Sequence, residues 1–423
     1  MASTGKLGRG VAIVGAGMSQ FGAFKDRTSR DLFVEAFKDM EASVDKGFDP
    51  KDIQGIYVST FAPELFEDQC HLGPIVTDAV GLIPRPATRI EGACASGGIA
   101  IRHGVMAIAS GISDMVLVGG VEKMSNLATE QVQDTLAAAS DIVYEAAAAF
   151  TFPGLYAAIA TAHMSKYGTT VEDFMRVGIK NHNNGQHNPK GQFNRSIGQL
   201  MEARKKKCEA KGQYCIDYQT EMDFLKDPAA NPTIAWPMRL FDCSPISDGA
   251  ACLLLVSEEI ARNFTDKPIH VIGTGQASDY PQQSRPDMST IGAAKVASKQ
   301  AYDMAGVKPE DIQVTEVHDC FTIAELVALE DLGYFEPGQA AKATAEGVTS
   351  REGAKPINTS GGLKSKGHPV GASGLGQALE IFKQLRDEAG ARQVLNKNLR
   401  LGLTHNVGAT GASCAVHIYE RRS

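Results

Sequence analysis

The chain has 423 residues, 43% of them apolar and 22% charged, a composition that excludes a disordered or collagen-like protein and leaves room for two or three packed domains. A formal charge of −7 and a single basic cluster at residues 204–207, with no interleaved aromatics, argue against nucleic-acid binding. No apolar run approaches the ~20 residues of a membrane span.

The eight cysteines, at positions 70, 94, 208, 215, 243, 252, 320 and 414, include no CxxC pair. Cys208 and Cys215 are too widely spaced for a zinc hook, so reduced thiols and no structural metal are expected. No export signal precedes VAIVGAG, and the closing ERRS is not a peroxisomal tripeptide, which makes the cytoplasm the expected location.

Along the chain, glycine-punctuated apolar runs at residues 11–17, 114–120 and 268–275 alternate with helix-like segments, the pattern of an α/β protein with buried, largely parallel strands. The first run continues as VGAGMSQFG, which reads GxGxxxxG rather than GxGxxG and lacks the acidic partner of a dinucleotide fingerprint. At residues 89–104, RIEGACASGGIAIRHG places Cys94 at a strand-to-helix elbow, where helix dipole and free N–H groups favour a thiolate; a small buried cysteine is the alternative. Residues 125–242 have no counterpart elsewhere in the chain and read as an insertion forming a cap or substrate loop. Within it, the run AAAAFTFPGLYAAIATAHM suits either the wall of a roomy apolar pocket or a helix packed into the core. Ser247, in SDGAA, has no GxSxG elbow around it and is not expected to be a nucleophile.

The second half echoes the first. VAIVGAGMSQF from Val11 resembles IHVIGTGQASD from Ile269, FDPKDIQGIYVST resembles VKPEDIQVTEVHD, and CASGG at Cys94 resembles GASGLG at Gly371. Three echoes in one order indicate duplication: two α/β halves, residues 1–265 with the insertion and residues 266–423, packed face to face with a crevice at their junction. Three second-half loops carry chemistry. VHDCFTIAE supplies His318 as a hydrogen-bond donor, Asp319 to orient it or cap the following helix, and Cys320 as an acid/base thiol. INTSGGLKSKGHPVGASGLG sets His368, a base near neutral pH, among glycines that permit close ligand approach. LGLTHNVGATGASCAVHIYE ends a strand in a glycine-rich turn whose N–H groups could form an oxyanion hole.

Taken together, GACASGG, VGGVEKMS, DCSPISDGAA, HDCF and GHPVGASG resemble the thiolase superfamily over nearly the whole chain, and most closely its sterol-carrier-protein-type branch, which includes bacterial and archaeal acetyl-CoA acetyltransferases. The resemblance implies a five-layered αβαβα fold, with residues 125–242 as the loop domain over the coenzyme A site. Ordinary thiolases carry Asn-Glu-Ala-Phe where this chain has His318-Asp319-Cys320-Phe321, and Cys-x-Gly where it has Asn406-Val407-Gly408. In the sterol-carrier-type branch the acid/base thiol comes from the His-Asp-Cys-Phe loop, which transfers that role to Cys320.

By the same resemblance Cys94 is the nucleophile, His368 its base, and the N–H groups of Cys94 and Gly408 hold the first oxyanion. His318 and His368 hold the thioester oxygen, Asp319 and Asn406 support the site, Ser247 lies near the pantetheine, and the basic cluster meets coenzyme phosphates. The implied reaction is cleavage of a 3-oxoacyl-CoA by coenzyme A as co-substrate, in fatty-acid or aromatic degradation, without a permanently bound cofactor or metal. The acyl group ranges up to bulky or aryl types such as benzoylsuccinyl-CoA. A homodimer is implied, and a small OB-fold, zinc-ribbon accessory subunit would make it a heterotetramer. The alternatives are biosynthetic acetoacetyl-CoA formation, a decarboxylating condensing enzyme, against which a second thiol argues, and a catalytically silent scaffold, against which four convergent reactive groups argue.

Overall fold

The computed structural model describes residues 7–212, 214–395 and 398–422. Residues 1–6 and Ser423, which enter the export-signal and peroxisomal readings, lie outside the described residues. In chain order the strands are β1 (Val11–Met18), β2 (Gly55–Ser59), β3 (Ala87–Ile90), β4 (Met115–Glu122), β5 (Thr233–Ala235), β6 (Met238–Arg239), β7 (Gly249–Ser257), β8 (Ile269–Ser278), β9 (Val314–Glu316), β10 (Leu401–Gly408) and β11 (Ser413–Arg421). Nine of them are hydrogen-bonded in the order β3-β2-β4-β7-β1-β8-β11-β10-β9, and β5 and β6 form a separate hairpin.

Outward from the β1–β8 junction, one side runs β1, β7, β4, β2 and the other β8, β11, β10, β9. Segments that echo each other in sequence, β1 with β8 and β2 with β9, therefore hold equivalent places. The largely parallel sheet expected from the apolar runs is in fact mixed. β2 pairs in parallel with β3 and β4, and β9 with β10, while the other five neighbouring pairs are antiparallel. The short turn at residues 409–412 returns β11 directly beside β10, a connection available only to an antiparallel pair.

Helices separate and cover the two sides. Phe33, Ala36 and Met40 of helix Ser29–Ala42, which starts at a Thr28–Asp31 capping box, pack on Val14 and Leu254. Helices Ser96–Ala109 and Ser373–Leu385 lie in the middle, where Ile99, Val105, Leu375 and Ile381 meet residues of both sides such as Ile13 and Val271. Helices Gly292–Ala305 and Thr322–Asp331 cover the far face through Ala297, Ile323 and Leu326. The result is the helix–sheet–helix–sheet–helix layering implied by the resemblance. The glycines of VGAG and IGTG belong to this packing: a Cβ at Gly17 would collide with the Met40 backbone, and one at Gly275 with the Ala297 carbonyl.

The insertion folds back as helices, notably Thr129–Ala137, Phe152–Tyr167, Val171–Gly185 and Ile197–Ala210. In Phe152–Tyr167, Tyr156, Ile159 and Ala160 join the core beside Ile323 and Val327, whereas Phe152 and Pro153 line a cavity. Both readings of the apolar run thus apply, the first turn of the helix lining the cavity and the turns after it packing into the core. Among the described residues no helix is long and apolar enough to cross a membrane.

Candidate active site

β3 ends just before the Cys94 turn. Ala93 takes a left-handed φ of 50°, residues Ala93–Ala95 make a single 3-10 turn, and helix Ser96–Ala109 follows. The turn is closed by Gly92 N–H donating to Ser96 Oγ (3.0 Å) and Ser96 O–H donating to the Ala93 carbonyl (2.6 Å). Gly97 faces Gly374 so closely that a Cβ at Gly97 would lie 3.0 Å from the Gly374 backbone. The two central helices thus start side by side, and this contact brings the His368 loop to the Cys94 turn.

His368 enters after the short helix Gly362–Lys366. Its N–H donates to Ser247 Oγ (2.8 Å) and its Nδ1 pairs with Ser373 Oγ (2.6 Å), which in turn donates to the Pro369 carbonyl (2.8 Å). The His318 ring stands edge-on to that of His368, with centroids 5.1 Å apart. Cys94 Sγ and one ring nitrogen from each histidine lie within 4.8 Å of one another. His318 Nε2 is buried without a hydrogen-bond partner. Asn406 joins the groups: its side chain contacts Gly98 N–H (2.9 Å), the Cys94 carbonyl (2.9 Å) and His318 Nδ1 (3.1 Å). At the end of the same strand a Cβ on Gly408 would collide with the Gly92 carbonyl, so only glycine lets β10 reach the nucleophile turn. It is the next residue, Ala409, that lines the cavity and directs its N–H at the Cys94 sulfur.

Cys94, Cys320 and His368 share an apolar cavity walled by Phe61, Met124, Leu136, Phe152, Ile246 and Val370. Cys320 interacts with the Tyr156 hydroxyl, which also donates to the Ala409 carbonyl (3.0 Å), and the Tyr156 ring stacks on Phe321 with centroids 4.5 Å apart. Tyr156 was not singled out in the sequence, where it is one aromatic in an apolar run. Gln133 was missed too; its Oε1, on the cavity wall, is buried with no partner.

Several site residues differ from expectation. The helix N-terminus does not make Cys94 a resting thiolate: burial pushes the thiol up to about 12, outweighing the N–H groups that favour the anion. Burial likewise pushes His368 down to about 3, helped by nearby Lys366, and holds His318 well below its usual range. The site therefore rests as neutral thiol and neutral imidazoles. Asp319 neither orients His318 nor caps the following helix. Its carboxyl accepts from Leu363 N–H (2.6 Å) and Asn181 Nδ2 (2.7 Å), capping the short helix that delivers His368, and burial pushes it up to about 7. Ser247 is fully buried behind His368, with its hydroxyl donating to Gln192 Oε1 (2.5 Å); Ser244 is the serine on the cavity wall.

A buried carboxylate holds the loops in register. Glu122 accepts from Phe61 N–H (2.7 Å), Gly371 N–H (2.9 Å) and Thr60 Oγ1 (3.0 Å), tying the Gly-His-Pro loop to the first half, and burial pushes it up to about 7. Residues 243–245 also line a second cavity with Phe193, Phe241, His182 and Lys364. Beyond it, Arg195 and Lys206 border a surface cleft. Elsewhere in the basic cluster, Arg204 lies over the Phe224 ring and Lys205 pairs with Asp217 at 2.6 Å.

Comparison with known proteins agrees with this architecture. Residues 11–259 match the thiolase N-terminal domain and residues 275–421 the thiolase C-terminal domain-like family. The acetyl-CoA acetyltransferase of Methanothermobacter thermautotrophicus is 42% identical over 98% of this chain and 100% of its own length. Sterol carrier protein 2 of Homo sapiens is 31% identical over 96% of this chain and 71% of that protein. Among solved structures, the Ltp2-ChsH2(DUF35) aldolase superposes with a TM-score of 0.79 at 24% identity, covering 98% of both chains. The human mitochondrial 3-ketoacyl-CoA thiolase in complex with CoA gives 0.71 at 19% identity, covering 99% of this chain and 100% of that one. A duplicated layered fold, the converging Cys94, His318 and His368, and full-length similarity at this level together establish that the chain belongs to the thiolase family of acyltransferases.

Proposed function

We propose that the protein cleaves a 3-oxoacyl-CoA with coenzyme A through an acyl group carried on Cys94, in the manner of the sterol-carrier-type branch. The observation that carries this reading is the convergence of Cys94, His318 and His368 within 4.8 Å, with Cys320 on the same cavity wall. Because Cys94 and His368 rest neutral, the thiol gives its proton to His368 Nε2 as its sulfur attacks the 3-keto carbon. The oxyanion is held by N–H groups of the Cys94 turn and of residues 408–409. The C2–C3 bond then breaks, leaving the acyl group on Cys94 and an acyl-CoA enolate whose oxygen faces His318 and His368. Cys320 protonates C2. The resulting Cys320 thiolate takes the proton of incoming coenzyme A, whose sulfur attacks the acyl carbon, and the departing Cys94 sulfur recovers its proton from His368. Asp319 and Asn406 position these groups without contacting the reacting atoms. A silent scaffold would not need this arrangement.

The apolar walls favour an uncharged, apolar acyl group. No Lys or Arg is among the described lining residues, so a free carboxylate such as that of benzoylsuccinyl-CoA would be buried unpaired, at a cost of several kcal/mol. Acetoacetyl-CoA is the second reading, favoured by the acetyl-CoA acetyltransferase relative at 42% identity. Coenzyme A would run with its pantetheine past Ser244 and its adenosine against Phe193 and Phe241, along two cavities that share residues 243–245, with its phosphates toward Arg195 and Lys206 of the surface cleft. The chain divides near residue 265 into two halves and acts as a cytoplasmic homodimer. The Ltp2-ChsH2(DUF35) neighbour, named with a second component, supports an accessory subunit.

The test is intact-protein mass spectrometry after incubation with acetoacetyl, longer-chain and aryl 3-oxoacyl-CoA esters, beside Cys94→Ala. An acyl adduct absent from the variant is expected, and its mass reports the acyl class. No adduct from any ester, with or without a co-purified accessory protein, would refute the reading.

A further inference from the structure

Two neighbouring histidines of one site carry their hydrogens on opposite ring nitrogens, for reasons found in their partners. The Asn406 side chain is oriented twice over. The atom facing Gly98 N–H at 2.9 Å must be the amide oxygen, because an N–H only donates; the atom facing the Cys94 carbonyl at 2.9 Å must be the amide nitrogen, because a carbonyl only accepts. The second hydrogen of that nitrogen points at His318 Nδ1, 3.1 Å away, which therefore accepts. A neutral imidazole with a lone pair on Nδ1 carries its hydrogen on Nε2, the buried atom without a hydrogen-bond partner. At His368 the logic is reversed. Ser373 spends its hydroxyl hydrogen on the Pro369 carbonyl, so its oxygen accepts from Nδ1–H of His368 and leaves the lone pair on Nε2.

We propose that Asn406 is a positioning residue that locks His318 as a hydrogen-bond donor beside His368 as a base, and that this same lock denies the Cys94–His318–His368 trio to transition metals. The first part rests on the thiolase reading; the second does not. The trio otherwise has the ligand types of a Cys-His-His metal site, with donor atoms within 4.8 Å of one another, but a metal needs the Nε2 lone pair that Asn406 removes. The glycine motifs serve this placement. A Cβ on Gly374 would collide with Asn406 Oδ1, and one on Gly98 would lie 3.1 Å from the same atom. Division of labour follows: His368 receives the Cys94 proton, while His318 donates to the enolate oxygen at every stage.

The experiment compares wild type, Asn406→Leu, which removes the lock, and Asn406→Asp, which offers an acceptor to Nδ1–H and turns the His318 lone pair toward Cys94. Co²⁺ is the probe, read by its thiolate-to-cobalt absorption, and tautomers are read by long-range ¹⁵N NMR of histidine-labelled protein. Expected are hydrogen on Nε2 of His318 and on Nδ1 of His368 in wild type, and at least tenfold tighter Co²⁺ binding by Asn406→Asp, abolished by adding Cys94→Ser. Turnover should fall on the order of 10²-fold in Asn406→Leu, with kcat affected more than KM. Wild type binding Co²⁺ through Cys94 as tightly as Asn406→Asp, or hydrogen on Nδ1 of His318, would overturn the proposal. If Asn406→Asp does not fold, the wild-type NMR and Asn406→Leu decide. The metal and NMR readouts need no substrate, so failure of the thiolase reading leaves this inference separately testable.

Discussion

The resting state of Cys94 can be measured directly by alkylation. Burial pushes its thiol up to about 12, against ~8.5 for a free cysteine, so the thiolate fraction at pH 7 falls roughly 10³- to 10⁴-fold. A more basic thiolate is intrinsically more nucleophilic, which returns about 30-fold for a Brønsted slope of ~0.45 and leaves a net deficit of about 10²-fold. The sign is that of an acid with a raised pKa: the group stays protonated through neutral pH and gains reactivity only as pH rises. The assay is iodoacetamide labelling from pH 6 to 10, with the Cys94 peptide quantified by mass spectrometry in native and denaturant-unfolded protein. Unfolded Cys94 should level off above about pH 9, whereas native Cys94 should react about 10²-fold more slowly at pH 7 and keep climbing roughly tenfold per pH unit. A native rate that plateaus below pH 8, or exceeds the unfolded rate at pH 7, would mean a preformed thiolate–imidazolium pair and refute the reasoning.

Cys320→Ala should still form the acyl adduct on Cys94 from a reactive thioester, while thiolysis falls 10²- to 10⁴-fold and acetyl-CoA stops exchanging its methyl protons in D₂O; retained exchange would assign the proton to another group. Gly408→Ala forces a methyl against the Gly92 carbonyl and Ser413 Oγ, so about 1–3 kcal/mol of stability should be lost in denaturant titration, with kcat falling because the Cys94 turn shifts. Asp248→Asn leaves Lys123 Nζ, now 2.9 Å from the carboxylate and fully buried, without its counter-charge. A loss of about 3–5 kcal/mol is expected in the same titration, and a loss below 1 kcal/mol would show that the amide compensates.

Much of the site was legible locally. Cys94, His318, Cys320 and His368 each sit in a turn whose glycines or flanking apolar runs mark a strand end or helix start, and such turns demand particular residues wherever they occur. The sequence could not indicate Tyr156, whose hydroxyl meets the Ala409 carbonyl from a helix more than two hundred residues earlier, or that Asp319 caps residues 362–366. Ser247 and Ser244 lie three residues apart in one segment, and only the side to which each points decides that one supports His368 and the other faces the cavity.

By itself the sequence determined the duplication, because three echoed segments recur in one order, and it marked candidate reactive residues, because each lies in a glycine-rich or strand-ending loop; the layered fold and the roles of those residues followed from the family resemblance. The tertiary structure alone decided the mixed direction of the sheet, the neutral resting state of Cys94 and the opposite tautomers of His318 and His368. Strand direction depends on which distant segments pair. Acidity depends on how much water the remaining chain excludes, and a tautomer depends on which hydrogen-bond partner arrives from another loop.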